Sequence, residues 1–597
     1  RPPRSTLFPY TTLFRSEATY PVLGTFSTSG LQGIAYVKLT VLDQNNHPYQ
    51  DFFSVIVVNG QKPGWPIAAY DSEQGMEPSS IVSSPMVANI DNSSDGSSEV
   101  IINTVSGLFI FNKDGEVLSG WPKNYDWPYG SGGFSTPAVV DLDADGDMEI
   151  ISMGYDGPSR AGVRTIIGTS EPIAGLHIWH HDGSIYNASW PQPLTPYLPG
   201  AEVLTYLSYA SPAVGDIDKD GEQEIVVAVR YGVGSLGFTS CALFAFEQDG
   251  SLVHDGQGNT QWPRLLSANN VSVGQLLECQ QTPLLVDLNK DGRLEIVQGV
   301  SFSEYKINPP VNVKYAQIDA FDAYGNIPSQ TQWPWVSATS TLRKNLVAGD
   351  INGDGEAEII AQVTGQASLT KIISPAGSEI VTSSLGSLLP ANCSLADIDE
   401  DGKPEIIFMS YSNKLWVCKF VNNQLVSLPG WPKVFQEKLV LNNVFPTAGP
   451  SIADVNGDGH ADIIVVAMGA TVTPYSSLKA FDRYGNLIAG WPKYVQPADL
   501  VYSQPTVADI DGDGKTEVLI GNYFGQVLAY GLEQNFNSDT QKWSMYQHDL
   551  RHAGFGGEPI VPKNQAPVAN AGGSYSGQAD ISRSEERRVG KECRSRW

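Results

Sequence analysis

Eight groups of four oxygen-bearing side chains recur along this sequence at a spacing that suits one kind of chemistry, the capture of a hard cation. The clearest group is Asp216, Asp218, Asp220 and Glu224 in DIDKDGEQEI. Six more follow the same pattern: Asp141, Asp143, Asp145 and Glu149; Asp287, Asn289, Asp291 and Glu295; Asp350, Asn352, Asp354 and Glu358; Asp397, Asp399, Asp401 and Glu405; Asp454, Asn456, Asp458 and Asp462; Asp509, Asp511, Asp513 and Glu517. A degraded copy with a two-residue insertion stands first and offers Asn89, Asp91, Asp95 and Glu99. A D-x-[DN]-x-D-G-x-x-[DE] run bends its first, third, fifth and ninth side chains around one point, with a backbone carbonyl from the seventh. The sixth-position glycine allows the tight turn. Carboxylates held this close repel one another without a cation. An Asp/Gly-rich turn without metal is the plain alternative, but turn chemistry does not ask for the carboxylate at position nine. The repetition predicts about seven or eight Ca²⁺ sites.

The flanking residues say what positions the loops. Each is preceded by a short segment such as SPAV or TPAVV and followed by a β-branched run such as EIVVAV, so the loop joins two strands of a hairpin. A third apolar segment (GLFIFNKDG, LHIWHHDG, ALFAFEQDG, SLKAFDRYG) ends in a tight turn, and a fourth lies around Trp-Pro at Trp121, Trp190, Trp262, Trp333, Trp431 and Trp491. The fifth repeat lacks its Trp-Pro. The Trp-Pro sites read as outer-strand packing rather than binding. The repeat recurs about every sixty residues, too short a unit to bury its own faces, so blades must stack radially. The expected fold is all-β, a β-propeller of four-stranded blades, eight of them or seven plus a stray unit, with Gly64-Trp65-Pro66 available as a closing strand.

These motifs resemble the FG-GAP/VCBS repeat family, the integrin-alpha-like calcium-loop propellers, over Gly64 to Gly554. The resemblance implies calcium-binding blades in a secreted or cell-surface protein. WSMYQHDLRHAG, from Trp543 to Gly554, resembles a tail that follows such repeats. Within 17–60, two alternating segments around DQNNH look like the last hairpin of an immunoglobulin-like β-sandwich. The propeller is assigned 61–556. Residues 557–582 form a linker and, in NQAPVANAGGSYSG, a segment similar to the first strand of a PKD domain.

Residues 1–16 and 583–597 belong to neither. Read backwards, RSEERRVGKECRSRW pairs with PPRSTLFPYTTLFRS through reverse-complementary codons at all fifteen positions, so both ends read as one sequencing adapter translated on opposite strands. The remainder is then a fragment of a longer chain. The two ends carry a net charge of +6, and without them the −27 of the whole sequence becomes −33. Such acidity argues against nucleic acid or an anionic membrane as partner, and no apolar run is long enough to insert into a membrane. Outside the ends, Cys241, Cys279, Cys393 and Cys418 are too few and too scattered for a disulfide scaffold.

Catalytic constellations are thin. GTSEP at Gly168 lacks triad partners, and His180, His181, His548 and His552 read as surface or turn residues in the absence of a third ligand. In a four-stranded blade the calcium loops and the tight turns share one face. Every long connection falls on the other, which carries Tyr125, Trp127, Tyr129, Tyr155, Tyr197, Tyr206, Tyr209, Tyr231, Tyr305, Tyr315 and Trp335. Long loops on a rigid scaffold carry function, and Trp127, Tyr129, Tyr155 and Tyr305 are the expected recognition surface. The reading is a non-catalytic, calcium-binding module, monomeric within a longer secreted bacterial protein, that mediates adhesion or binds a glycan or protein ligand. One alternative is a rhamnogalacturonan-type polysaccharide lyase using Arg160, Arg164, Lys306, Lys314, Arg343 and Lys344 to neutralise a uronate; another is the accessory region of a secreted protease.

Overall fold

The computed structural model describes residues 33–42, 48–57, 61–69, 80–124, 135–156, 173–195, 203–206, 210–233, 238–266, 276–307, 310–329, 331–342, 344–364, 368–385, 392–410, 414–435, 448–468, 475–497, 501–552 and 554. Strands dominate, and they form eight antiparallel blades. Blade 3 shows the pattern: Ala213–Gly215 innermost, then Glu224–Val233, Phe238–Phe246 and Arg264–Leu266. The eight inner strands are Met86–Ala88, Ala138–Val140, Ala213–Gly215, Leu284–Val286, Val347–Gly349, Ser394–Ala396, Ser451–Ala453 and Thr506–Ala508. Each touches the next, and the last touches the first, so the ring has eight members rather than seven.

Closure uses both ends of the repeat region. Ile67–Ala68 forms the outermost strand of blade 8, pairing with Gln526–Asn535 through Ile67 opposite Val527. Upstream, Gly33–Leu42 and Pro48–Val57 make an antiparallel hairpin whose connection is the DQNNH segment. The remainder of 17–60 and all of 557–582, the segment with the PKD-like stretch, lie outside the described residues, as do both terminal segments.

The continuous apolar runs of the second strands follow from burial on both faces. In blade 3, Ile225, Val227 and Val229 pack against Ala138, Leu176 and Ile178 of blade 2. The alternate residues Val226 and Ala228 pack with Leu285, Ile296 and Val300 of blade 4. The period of two that sends successive side chains to opposite faces thus joins each blade to both neighbours.

Polar latches reinforce the junctions. Near the axis, the residue two places before the inner strand accepts the backbone N–H of its counterpart in the preceding blade. Gln504 donates to Ser84 Oγ, Ser84 to Thr136 Oγ1, Thr136 to Ser211 Oγ, Ser211 to Thr282 Oγ1, Thr282 to Asn345 Oδ1 and Asn345 to Asn392 Oδ1, all at 2.9–3.2 Å. The chain of bonds breaks at Gly449 of blade 7, which has no side-chain acceptor to offer; a Cβ there would lie 3.0 Å from Gln504 Oε1. Hydroxyl donors take over: Ser394 bonds the carbonyl of Pro450 and Ser451 that of Pro505. Every junction of the ring therefore carries at least one axial hydrogen bond.

Among the described residues seven Trp-Pro peptides are cis, and six of them supply a second latch on the outer strands. The indole N–H of Trp65, Trp121, Trp190, Trp262, Trp333 and Trp431 donates to a turn carbonyl of the next blade: Lys113, His181, Gln248, Ala323, Pro375 and Arg483 respectively, at 2.8–3.3 Å. These rings are buried. Packing, as expected from the sequence, is their role.

The closing segment from Trp543 fills the axis. Carbonyls of Trp543, Ser544, Leu550, Arg551 and Gly554 accept the mid-strand N–H groups of Ile452, Val507, Val139, Val214 and Ala348. The tail thus runs past blades 7, 8, 2, 3 and 5 in ring order. Tyr546 Oη lies 3.0 Å from Thr282 Oγ1 and accepts from Asn345 Nδ2 at 2.8 Å.

Candidate metal loops and the two faces

All eight acidic loops join the first and second strands of their blades, and one contact recurs in each. The ninth-position carboxylate is buried and accepts the backbone N–H of the second position: Glu99 from Ile90, Glu149 from Leu142, Glu224 from Ile217, Glu295 from Leu288, Glu358 from Ile351, Glu405 from Ile398, Asp462 from Val455 and Glu517 from Ile510. This clasp fixes the loop with one oxygen and leaves the other to face the remaining ligand positions.

What the second oxygen meets differs between loops, and this tests the fit to a cation. Carboxylate oxygens of Asp141, Asp143 and Glu149, of Asp216, Asp218 and Glu224, of Asp397, Asp399 and Glu405, and of Asp509, Asp511 and Glu517 converge within 4.8 Å. Buried oxygens without a hydrogen-bond partner occur at Asp141 Oδ1, Glu224 Oε1, Asp287 Oδ1, Glu405 Oε1 and Asp511 Oδ1. An orphaned, buried anionic oxygen costs several kcal/mol unless something neutralises it. An oxygen-only donor set of this kind fits Ca²⁺.

In the loops of blades 4, 5 and 7 an asparagine amide bridges instead. Asn289 Nδ2 donates to Glu295 Oε1 at 2.7 Å, Asn352 Nδ2 to Glu358 Oε1 at 2.6 Å and Asn456 Nδ2 to Asp462 Oδ1 at 3.2 Å. Turning such an amide by half a revolution presents its oxygen to the same point. The degraded first loop is different. Asn89 Nδ2 donates to the Ser93 carbonyl, and Asp95 accepts from Ser93 Oγ, Ser97 Oγ and Ser97 N–H, which holds its carboxyl down at about 2. Serine donors take up the carboxylate that stands free to face a cation in the other loops, so the fit is poor at Asn89.

Electrostatics agree with the geometry. Burial pushes Glu99 up to about 6, Glu149, Glu295, Glu358 and Glu405 to about 7, Asp462 to about 8 and Glu224 to about 9, with neighbouring carboxylates adding to the rise. His180 and His181 lie in the turn after Ile173–Trp179, the third strand of blade 2, and reach over the second acidic loop, with Nδ1 atoms 3.1 Å from Glu149 Oε1 and 3.3 Å from Asp147 Oδ2. They are turn residues on the face of the acidic loops. His552 is not a surface residue. It is fully buried in the axis with Nδ1 2.8 Å from the Pro212 carbonyl, and burial lowers it to about 4.

The opposite face is described in part. Trp127 and Tyr129 lie outside the described residues, Tyr155 and Tyr305 fall within the strands Glu149–Asp156 and Glu295–Ile307, and GTSEP also lies outside. Of the other aromatics expected there, Tyr231 and Trp335 are buried in blade cores and Tyr315 is half-buried, bonding Gln317 Oε1 at 3.1 Å. Tyr231 and Trp335 thus serve packing. Among the cations of the lyase alternative, Lys344 is the one with a described side chain, and it is buried. A disulfide joins Cys241, in the third strand of blade 3, to Cys279, ahead of the inner strand of blade 4; Cys393 and Cys418 are free and buried. A spacing of 38 residues with no pattern around it gave no signal for that pairing.

Residues 397–465 and 454–520 each match a family described as an FG-GAP-like repeat, which covers the loops of blades 6, 7 and 8. No curated protein matches the chain. Among solved structures, the chain is similar to the quinohemoprotein alcohol dehydrogenase of Comamonas testosteroni, at 12% identity and a TM-score of 0.42 over 80% of this chain and 77% of that one. It is also similar to Sqt1 of Saccharomyces cerevisiae, at 11% identity and a TM-score of 0.41 over 80% of this chain and 100% of that one.

Proposed function

We propose that the protein is a calcium-binding, non-catalytic propeller that serves as a recognition module of a secreted protein, with its glycan or protein ligand held on the face opposite the calcium loops. The observation that carries the metal half is Glu224 Oε1, buried and unpartnered beside Asp216 and Asp218. The tail along the axis supports the second half, since it removes the centre of the ring as a ligand route and leaves the long connections between blades. The Cys241–Cys279 disulfide fits an oxidising compartment, where calcium is also abundant.

Isothermal titration of the chelator-treated protein with Ca²⁺ tests the metal, and a polysaccharide and peptide array tests recognition. Alanine replacement of Trp127, Tyr129, Tyr155 and Tyr305 together should weaken array binding and leave the calcium isotherm unchanged. Absorbance by unsaturated uronate products during the screen would support the lyase instead. Ligand binding that maps to the calcium-loop face would overturn the proposed surface.

A further inference from the structure

The eighth loop differs from the others in having an ammonium inside it. Lys62 Nζ lies 2.5 Å from Asp511 Oδ2 and 3.0 Å from Glu517 Oε1, the third and ninth positions, which face each other across the loop. Its side chain is 11% exposed, and its backbone is fixed in the blade sheet by Lys62 N–H to the Ala529 carbonyl at 2.9 Å.

Repetition shows how unusual this is. Lys62 stands three residues before Trp65, and the same backbone bond from the tryptophan N–H to the carbonyl three residues back recurs at Leu118, Asn187, Leu428 and Ile488, at 3.1–3.2 Å. Across the seven blades with an outer-strand Trp-Pro the residue at this position is Lys62, Leu118, Asn187, Asn259, Gln330, Leu428 or Ile488, so of these seven the eighth blade alone carries a charge there. Where it is Leu118, Leu428 or Ile488, the side chain packs against an apolar core. Lys419 in blade 6 offers the contrast. It pairs with Asp399 at 2.7 Å and with Asp401, the third and fifth positions, and does not reach the ninth, so the buried Glu405 Oε1 is left without a partner, whereas in the eighth loop Lys62 meets the ninth-position Glu517 Oε1 and the oxygen left over is Asp511 Oδ1.

We infer that Lys62 serves as the resident cation of the eighth loop, so that the junction closing the ring is latched without metal. The consequence is a division of labour. Chelation loosens other loops, while the contact between the first and last strands of the propeller persists, held by a charge that cannot dissociate. This rests on the calcium reading of the other loops, and the test separates the two.

Wild-type protein, Lys62→Met, Asp511→Asn and Asp218→Asn are equilibrated with excess Ca²⁺, and bound calcium per chain is counted by atomic emission. Lys62→Met should hold one calcium more than wild type. Asp511→Asn should leave the wild-type count unchanged, whereas Asp218→Asn, its counterpart in blade 3, should lower it by one. An equal count in Lys62→Met, or a loss in Asp511→Asn, overturns the inference and leaves the calcium reading standing; no calcium in any of the four proteins overturns both. Should Lys62→Met fail to fold, the two asparagine variants decide the matter between them.

Discussion

Glu224→Gln should change sign with calcium, and few single substitutions offer so sharp a test. The glutamate is fully buried, its Oε2 accepts Ile217 N–H at 2.7 Å and its Oε1 has no partner. Burial raises it from 4.5 to about 9. A carboxyl raised on folding contributes stability that is complete below its unfolded value and is lost as pH rises towards its folded one. Between 4.5 and a pH of about 7 that loss amounts to roughly 3 kcal/mol in metal-free protein. Glutamine keeps the acceptor for Ile217 N–H and removes the titration, so the chelated variant should be the more stable near neutrality and indistinguishable from wild type near pH ~4.5. With calcium the order reverses. A ligand at about a thousandfold its Kd stabilises the form that binds it by about 4.1 kcal/mol, more than the roughly 3 kcal/mol lost to ionisation, and glutamine weakens that binding. Urea unfolding of both proteins, in chelator and in calcium and at the two pH values, reads all four cases. If wild type is the more stable at neutral pH by the same margin in chelator and in calcium, the carboxylate cluster is not a cation site and the clasp alone explains it.

Three other outcomes follow from the latches and the ends. Trp190→Phe removes the donor to the Gln248 carbonyl and should cost about 1–2 kcal/mol in urea unfolding without altering calcium content. Tyr546→Phe strips a hydroxyl shared by Thr282 and Asn345, leaving the buried Asn345 Nδ2 short of a partner, and should cost about 1–3 kcal/mol by the same assay. Deleting residues 1–16 and 583–597 should leave the melting temperature and the calcium count unchanged, and a cooperative loss of stability would show that they pack.

The blades were legible because their signals are local. A nine-residue loop with a fixed glycine, a β-branched run and a tight turn are each read within a dozen residues. The latches were half-visible. The Ser-Pro and Thr-Pro pairs at Ser84, Thr136, Ser211 and Thr282 are visible in the short segments ahead of the loops, but their purpose depends on a partner at least 52 residues away. Lys62 was hidden for the same reason, since its partners lie 449 and 455 residues along the chain. Two of the expected surface aromatics, Tyr231 and Trp335, turned inward because the strands and connections that carry them supply apolar packing as well as loops.

The axial tail explains why eight blades can close. Each inner strand has a neighbour on one side only within its blade, so its outward N–H groups line the axis unpaired, and buried donors must find acceptors. A wider ring holds more such edges and leaves more empty space between them. Five of the eight mid-strand N–H groups, at Val139, Val214, Ala348, Ile452 and Val507, are met by tail carbonyls, while Trp543 and Tyr546 fill volume at 1% and 7% exposure. The same segment that completes the hydrogen bonding therefore fills the space. The tail and the ring are one cooperative unit on this argument, and removing residues from Trp543 onward should expose inner-strand amides across several blades at once. Hydrogen exchange would show this as simultaneous loss of protection at Val139, Val214, Ala348, Ile452 and Val507. Loss confined to blades 7 and 8, where the tail enters, would mean that the ring closes without its plug.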